Sequence, residues 1–352
     1  MNKYVVPAAM TVVAILFPAA SLAESLPLRG GDLANAERYH TFVHIGGGDQ
    51  TEGKDIGALR RTADGNWTRL TSDGADSKIL SNWVVYGKPF YAMAAGKVIG
   101  CWRNAPENTP GSLHPDLLAK KFAGGGNHLW ILQDDGAIAL YAHARPGTIP
   151  SSLCPNNAKL FTGLAGQGPK WVIESEVQVA NGARVEAGTK LGEIGNSGSS
   201  SGGPHLHVHL TPDHKAPKAM TFERGLTTPY SAKASLDGPW TRVAGKPLPN
   251  ASILVWPARP SGNYTFNGIK GADYQRLVEH LQDSGVMPKL ITCTSNGATY
   301  NSSWIPATDQ WASFHAMSPA KAAEKHAYYT HQGYKRTSVF TCGTATVAVW
   351  RK

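Results

Sequence analysis

Residues 195–210 read GNSGSSSGGPHLHVHL, a loop of small residues that leads into an apolar segment with a histidine at every second position. Side chains alternate between the two faces of a β-strand, so His205, His207 and His209 should share one face. Pro204 suits the start of such a strand but not its interior. Imidazoles grouped on one face are typical of a metal site or an acid–base site, so this stretch predicts a functional sheet face.

Three upstream segments predict the rest of the core around that strand. Residues 87–98 (GKPFYAMAAGKV) predict a strand, a turn and a second strand paired with the first. Residues 126–143 (GNHLWILQDDGAIALYAH) predict a hairpin through Asp-Asp-Gly, and residues 179–192 (VANGARVEAGTKLG) contain an Asn-Gly turn signal. Together they predict a mainly β chain whose core is an antiparallel β-sheet with a groove over one face.

These four segments, in this order, resemble the lysostaphin/LytM-type zinc metalloendopeptidases, which cut peptide cross-links in bacterial cell walls. The resemblance covers about residues 85–212 and is most specific in the Gly-Asn-Ser-Gly and Pro-His-Leu-His runs. It implies a lysostaphin-like groove and one zinc ion, held by two histidines and one aspartate. It further implies that His207 is a ligand, and that His205 and His143 flank the metal as general base and oxyanion stabiliser.

The first ligand motif departs from the family pattern, which is His-x-x-x-Asp. Residues 51–58 (TEGKDIGA) resemble that motif and make Asp55 the aspartate ligand, but Thr51 stands where the family has histidine. A threonine hydroxyl does not replace a neutral imidazole as a zinc ligand. The metal site is therefore atypical: either it is incomplete, or its missing nitrogen comes from another residue.

Two histidines just upstream are candidates for that nitrogen. His44 and His40 precede the Gly-rich loop 46–53, and His44 with Asp49 is a second possible pairing. Both histidines also fit an ordinary strand with a two-residue period. The prediction adopted for the metal ligands is His44, Asp55 and His207. His209 is an addition to the family motif: it could support a ligand, replace one, or lie on the surface, which is the favoured interpretation.

The N-terminus predicts export. Lys3 precedes the apolar run 4–20, and Ser-Leu-Ala at 21–23 resembles a cleavage site, so residues 1–23 are typical of a signal peptide. The mature protein would start near Glu24, periplasmic or secreted, with no membrane span left; an uncleaved anchor is the alternative. The four cysteines lack C-x-x-C spacing and predict disulfides, with Cys101–Cys154 and Cys293–Cys342 favoured among three pairings.

Length and composition predict two domains. The 352 residues divide into a peptidase domain (24–216), a Pro- and Gly-rich linker (217–248) and a small C-terminal α+β domain of tandem repeats (249–352). The net charge of +9 favours an anionic partner, such as peptidoglycan or another cell-envelope polymer. No nucleic-acid recognition motif is present, so nucleic acid is not an expected partner.

Three functions remain open on this evidence. The first is an exported zinc metalloendopeptidase that hydrolyses peptide bonds of peptidoglycan. The second is a catalytically inactive module of the same fold that binds wall peptides or regulates a partner hydrolase, and Thr51 motivates it. The third is an adhesion or inhibitor protein in which the C-terminal repeats do the main work.

Overall fold

A computed structural model describes residues 23–34, 36–118, 124–158, 177–223, 225–236, 239–256, 264–282 and 286–352. The predicted signal peptide lies outside these residues except for Ala23. No helix in the described ranges is long and apolar enough to cross a membrane. The chain is mainly β with antiparallel sheets, which confirms the predicted fold class.

The first 256 residues contain one short helix and thirteen strands in their described part. In chain order these are β1 (Glu37–Thr41), β2 (Lys54–Arg61), β3 (Trp67–Thr68), β4 (Pro89–Tyr91), β5 (Gly96–Trp102), α1 (Pro115–Leu118), β6 (Asn127–Gln133), β7 (Ile138–Ala144), β8 (Arg184–Val185), β9 (Lys190–Glu193), β10 (Leu206–Thr211), β11 (Leu226–Pro229), β12 (Thr241–Arg242) and β13 (Ser252–Trp256).

One sheet of eleven strands organises this part, in the order β12-β11-β13-β1-β2-β10-β7-β6-β5-β8, with β3 paired to β2. The motif strand β10 lies between β2 and β7, and His207 is opposite Asp55 on one side and Ala142 on the other. Leu206 and Val208 are fully buried in the core. Because a one-residue slip would turn these apolar side chains outward, the alternation holds the histidines on the opposite face.

The predicted pairing of the strands in segment 87–98 is wrong. β4 pairs with β9 in a separate two-stranded sheet, whereas β5 pairs with β6 and β8. The reason is packing between layers: the ring of Phe90 stacks on that of Tyr141 with centroids 6.1 Å apart. The Tyr141 hydroxyl also accepts the Met93 backbone N–H at 2.7 Å. The small sheet thus covers the core face of the large one.

The stretch predicted as a linker, 217–248, contributes strands to the large sheet. Strand β11 pairs with β13, and β13 also pairs with β1, where His40 is opposite Ile253. Leu226 and Ile253 are fully buried, so apolar burial outweighs the Pro- and Gly-rich composition here. The division into domains remains a prediction, but the stretch 217–248 contains the strands β11 and β12.

The C-terminal part repeats one β-α-β-β unit, as expected for a small α+β repeat domain. The first unit is β14 (Tyr264–Lys270), α2 (Gly271–Gln282), β15 (Val286–Thr294) and β16 (Thr299–Pro306). The second is β17 (Trp311–Met317), α3 (Pro319–His331), β18 (Lys335–Cys342) and β19 (Ala345–Arg351). Trp304 and Trp350 occupy corresponding buried positions on β16 and β19.

Both favoured disulfides are confirmed. Cys101 at the end of β5 is bonded to Cys154, with Cα atoms 5.6 Å apart. Cys293 on β15 is bonded to Cys342 on β18, with Cα atoms 5.9 Å apart, so this bridge joins the two repeats.

Candidate metal centre

Two imidazoles and one carboxylate converge on the groove face of the large sheet. Asp55 Oδ2 lies 2.9 Å from His44 Nδ1, and Asp55 Oδ1 lies 2.9 Å from His207 Nδ1. The possible ligand atoms of the three residues all lie within 4.8 Å of one another. Among the described residues this is the one group of three that meets that distance. The structure therefore brings together the three residues predicted as metal ligands.

The loop between β1 and β2 carries His44 back over the sheet. The Phe42 backbone N–H donates to the Asp55 carbonyl at 2.9 Å, and the Gly53 N–H donates to the Gln50 carbonyl at 2.7 Å. A Cβ at position 53 would lie 3.0 Å from His207 Cε1 and 3.1 Å from His44 Nε2. Glycine is therefore needed at position 53 for the two imidazoles to approach this closely.

The electrostatics of the cluster favour the protonation states that a metal requires at Asp55 and His207, whereas the hydrogen bond to Asp55 raises the pKa of His44. Burial alone would raise the pKa of Asp55, but hydrogen bonds from His207 and His44 outweigh it and hold that pKa well below its usual range. Burial lowers the pKa of His207 to about 4, against the opposing pull of Asp55. At neutral pH the carboxylate is therefore ionised and the His207 imidazole is neutral, as metal ligation demands.

The donor set fits a zinc ion. Two imidazole nitrogens and one carboxylate oxygen match the three protein ligands of catalytic zinc sites, which leave a fourth position open. The structure adds an independent sign, because His44 Nε2 is buried and has no hydrogen-bond partner among the described residues. A buried polar atom without a partner is costly unless another group satisfies it.

Thr51, which occupies the position of the family's histidine, and His40, the other candidate for the missing nitrogen, both lie outside the cluster. The Thr51 hydroxyl donates to the Gly48 carbonyl at 2.8 Å and so closes the turn in the loop. His40 is buried on β1 with its ring against Phe42 at 4.2 Å between centroids, and burial lowers its pKa to about 3. His44 alone of these three is in contact with Asp55.

His205 and His143 stand beside the cluster with ring centroids 4.8 Å apart. His205 Nδ1 lies 2.9 Å from the Gly203 carbonyl, and its Nε2 lies 3.6 Å from Asp55 Oδ1. His143 Nδ1 lies 2.8 Å from the Ser197 carbonyl. Because a carbonyl oxygen only accepts, each Nδ1 carries the hydrogen and each Nε2 keeps its lone pair in the neutral ring.

The backbone at His143 is bent to aim this side chain. Its φ is +68°, a left-handed value that is uncommon for residues other than glycine. The strand pairing between β6 and β7 shifts register at Ala142 and His143, as at a β-bulge that redirects a side chain. The His143 N–H donates to the Gly125 carbonyl at 2.9 Å, and its carbonyl accepts the Gly195 N–H at 3.0 Å. Burial lowers the pKa of His143 well below its usual value and keeps the ring neutral.

A buried polar network below these histidines was not predicted from the sequence. The Ser197 hydroxyl donates to the Ala144 carbonyl at 2.8 Å and accepts the Asn127 N–H at 2.9 Å. The Asn196 side-chain amide donates to the Asn108 carbonyl at 3.0 Å. These partners are 53 to 88 residues apart in the chain, so no local pattern could have revealed them.

An open groove of about 740 Å³ runs over the cluster. Exposed apolar side chains stand at its margin, including Ile45 at 93% and Val43 at 63% exposure. Trp130 and Leu140 also line it. A groove of this size, with a few converging polar groups among apolar ones, is typical of a ligand-binding site.

His209 is not on the surface, contrary to the favoured interpretation. Its side chain is 1% exposed, and its Nδ1 lies 2.9 Å from His207 Nε2. Its Nε2 lies 3.7 Å from Asp49 Oδ2, so Asp49 faces His209 rather than pairing with His44. The loop turn that carries Asp49 and the Trp130 ring, 5.4 Å away between centroids, cover it from solvent.

No protein-family model matches this sequence, and no curated protein matches it. Among solved structures, the chain is similar to the catalytic domain of the antimicrobial peptidase lysostaphin from Staphylococcus simulans, with 16% identity and a TM-score of 0.24 over 51% of this chain and 86% of that one. It is also similar to a zinc-containing peptidase from Vibrio cholerae, with 18% identity and a TM-score of 0.22 over 48% of this chain and 49% of that one.

A third similar structure is the M23 metalloprotease pseudoalterin from the deep sea, with 15% identity and a TM-score of 0.29 over 67% of this chain and 97% of that one. At these identities and TM-scores the three likenesses carry no conclusion about the activity of this chain.

Proposed function

We propose that this chain is an exported zinc-dependent endopeptidase that hydrolyses peptide bonds of bacterial cell-wall peptidoglycan. The observation that carries the proposal is the convergence of His44, Asp55 and His207 next to the rings of His143 and His205, whose Nδ1 atoms are held by backbone carbonyls. A zinc ion held by the first three residues would supply a Lewis acid for the scissile carbonyl and a bound water whose pKa is lowered to about 7.

His205 and His143 would act as the general acid–base groups of the hydrolysis. Each ring is fixed by a carbonyl at Nδ1 and presents its Nε2 lone pair, so either can accept a proton from an attacking water. The imidazolium formed in this way carries an N–H at Nε2, which can stabilise the substrate oxyanion or protonate the leaving amine.

The proposed substrate and the proposed cellular compartment are inferred mainly from the sequence. The Gly-Asn-Ser-Gly and Pro-His-Leu-His runs resemble those of cell-wall endopeptidases, and the net charge of +9 favours an anionic polymer. The apolar N-terminal run and the two disulfides support export, because disulfides persist in oxidising compartments. The open groove has room for an extended peptide.

The test compares the wild-type protein with His207→Ala and with His331→Ala, which removes an exposed histidine from α3. We expect about one zinc per chain in the wild type and in His331→Ala, and none in His207→Ala, because one of three ligands is lost. Release of new amino groups from purified peptidoglycan should follow the zinc content. Zinc is measured by mass spectrometry after dialysis against the metal.

Absence of zinc from the wild type under these conditions would refute the proposed zinc-dependent endopeptidase activity. The alternative, an inactive module that binds wall peptides or regulates a partner hydrolase, would then be tested by binding of peptidoglycan fragments. If the wild type binds zinc and cleaves other peptides but not peptidoglycan, the proposed zinc-dependent peptidase activity stands and the proposed substrate is wrong.

A further inference from the structure

The proposed ligand His207 is one end of a buried chain of polar groups that continues through His209 to Asp49. His207 Nε2 lies 2.9 Å from His209 Nδ1, and the other nitrogen of that ring, Nε2, lies 3.7 Å from Asp49 Oδ2. The histidine side chains are 6% and 1% exposed, and Asp49 is 22% exposed. Water therefore has little access to either ring, and the rings have to satisfy one another.

The hydrogens along this chain can be placed in only two consistent ways when both rings are neutral. Either His207 Nε2–H donates to His209 Nδ1, or His209 Nδ1–H donates to His207 Nε2. In the first arrangement His209 carries its hydrogen on Nε2, where it faces the Asp49 carboxylate. In the second, the unprotonated Nε2 of His209 would face that carboxylate, lone pair against negative charge. Asp49 thus favours the first arrangement, whereas Asp55, 2.9 Å from His207 Nδ1, favours the second until a metal takes the place of the hydrogen on that atom.

The first arrangement is also the one that leaves His207 ready to bind a metal. With its hydrogen on Nε2, His207 has its lone pair on Nδ1, where a metal shared with Asp55 would replace the 2.9 Å hydrogen bond between Nδ1 and that carboxylate. Histidines that bind metals generally donate their other N–H to an acceptor, which fixes the tautomer and the ring orientation. Here the acceptor is a second histidine, itself oriented by a carboxylate.

We propose that His209 and Asp49 are positioning residues that hold His207 in the tautomer and orientation needed for zinc ligation through Nδ1. The inference rests on the proposed zinc site and adds residues that the motif resemblance does not assign. In this proposal the loop between β1 and β2 positions two residues of the site. One end of the loop carries the ligand His44, and its turn at residues 48–50 carries Asp49 to the far side of the same ligand set.

Zinc affinity in two nearly isosteric variants tests the proposal. Asparagine places an amide oxygen where His209 has Nδ1, so His209→Asn keeps an acceptor for the His207 N–H, whereas His209→Leu removes it. We expect His209→Leu to bind zinc about 10- to 100-fold more weakly than the wild type, and His209→Asn to stay within about threefold of it. Affinity is measured by competition with a chromophoric chelator, and circular dichroism checks that each variant is folded.

Asp49 acts through His209 in this proposal, which makes a coupling test possible. Asp49→Asn alone should weaken zinc binding, whereas adding it to His209→Leu should cause no further loss. His40→Leu is the matched control, since it replaces another buried imidazole whose ring contacts are with Phe42 and Tyr230. Its zinc affinity should equal that of the wild type.

A direct readout is the tautomer of His209, from long-range ¹H–¹⁵N correlation in the zinc-loaded protein. The proposal requires the hydrogen on Nε2 and a bare Nδ1. A hydrogen on His209 Nδ1, equal losses in the Asn and Leu variants, or wild-type affinity in His209→Leu would each overturn it. If the wild type binds no zinc, the proposed function fails as well, whereas a zinc-binding wild type with any of those results refutes only the role of His209 and Asp49.

Discussion

Gly53 separates the two imidazoles of the proposed metal centre, so Gly53→Ala should perturb the site directly. A Cβ built there would lie 2.8 Å from the Gln50 carbonyl oxygen, 3.0 Å from His207 Cε1 and 3.1 Å from His44 Nε2. The carbonyl belongs to the backbone of the same loop and accepts the Gly53 N–H, so it cannot swing away alone. Relief therefore requires the loop or the rings to move.

The size of the effect follows from these distances. Ordinary contacts to a Cβ begin near 3.4 Å, so each of these three atoms has to move away by a few tenths of an ångström. Metal–ligand distances tolerate only about ±0.2 Å. We expect zinc affinity to fall at least about tenfold, which corresponds to about 1.4 kcal/mol of binding free energy. Overpacking should also lower the free energy of unfolding by about 1–3 kcal/mol.

Gly47→Ala provides a control in the same loop. Gly47 has φ −123°, which any residue adopts, and a Cβ there would have no atom within 4 Å. Zinc affinity is measured by chelator competition for both variants, and unfolding by urea with circular dichroism. We expect Gly47→Ala to match the wild type in both. Wild-type zinc affinity in Gly53→Ala would refute the assignment of the metal to the space between His44 and His207.

Two further predictions concern stability. Tyr141→Phe leaves the buried Met93 N–H without its acceptor, so the free energy of unfolding should fall by about 1–3 kcal/mol; an unchanged urea midpoint would contradict this bond. His40 titrates near 6.5 in the unfolded chain but only near 3 in the folded one, because it is buried. Between these values the unfolded state binds a proton that the folded state does not, so acidification favours unfolding by about 1.4 kcal/mol per pH unit from this group. His40→Leu should remove that part of the slope in urea titrations between pH 6.5 and 4, and an unchanged slope would show that His40 is already protonated in the folded state.

Short-range sequence patterns were sufficient to predict the strands that carry most of the site residues. The two-residue period in residues 205–210 predicted both the strand and the shared face of its histidines, because strand alternation is a property of the local backbone. The Asp-Asp-Gly turn predicted the hairpin of β6 and β7, which places His143. Asp55 was found through its motif, and strand pairing puts it opposite His207.

The sequence favoured His44 over His40 for the nitrogen but left His40 open, and it left Asp49 open as the partner of His44 in place of Asp55. His40, His44 and Asp49 lie within ten residues of one another, and their spacing fits more than one arrangement. The path of the Gly-rich loop decides between them, since it carries His44 onto Asp55 and Asp49 onto His209. Glycines permit many loop conformations, so packing against β2 and β10 selects the one observed.

The sequence by itself predicted the antiparallel core, the strand with three histidines, and Asp55 and His207 as candidate metal ligands, because each depends on a pattern within about twenty residues. Only the tertiary structure decided that His209 is buried, that β4 pairs with β9, and that β11, β12 and β13 extend the large sheet. These outcomes depend on which surfaces meet across long separations of the chain. Burial of Phe90 against Tyr141, or of His209 beneath Trp130, is a relation between distant elements that no local pattern encodes.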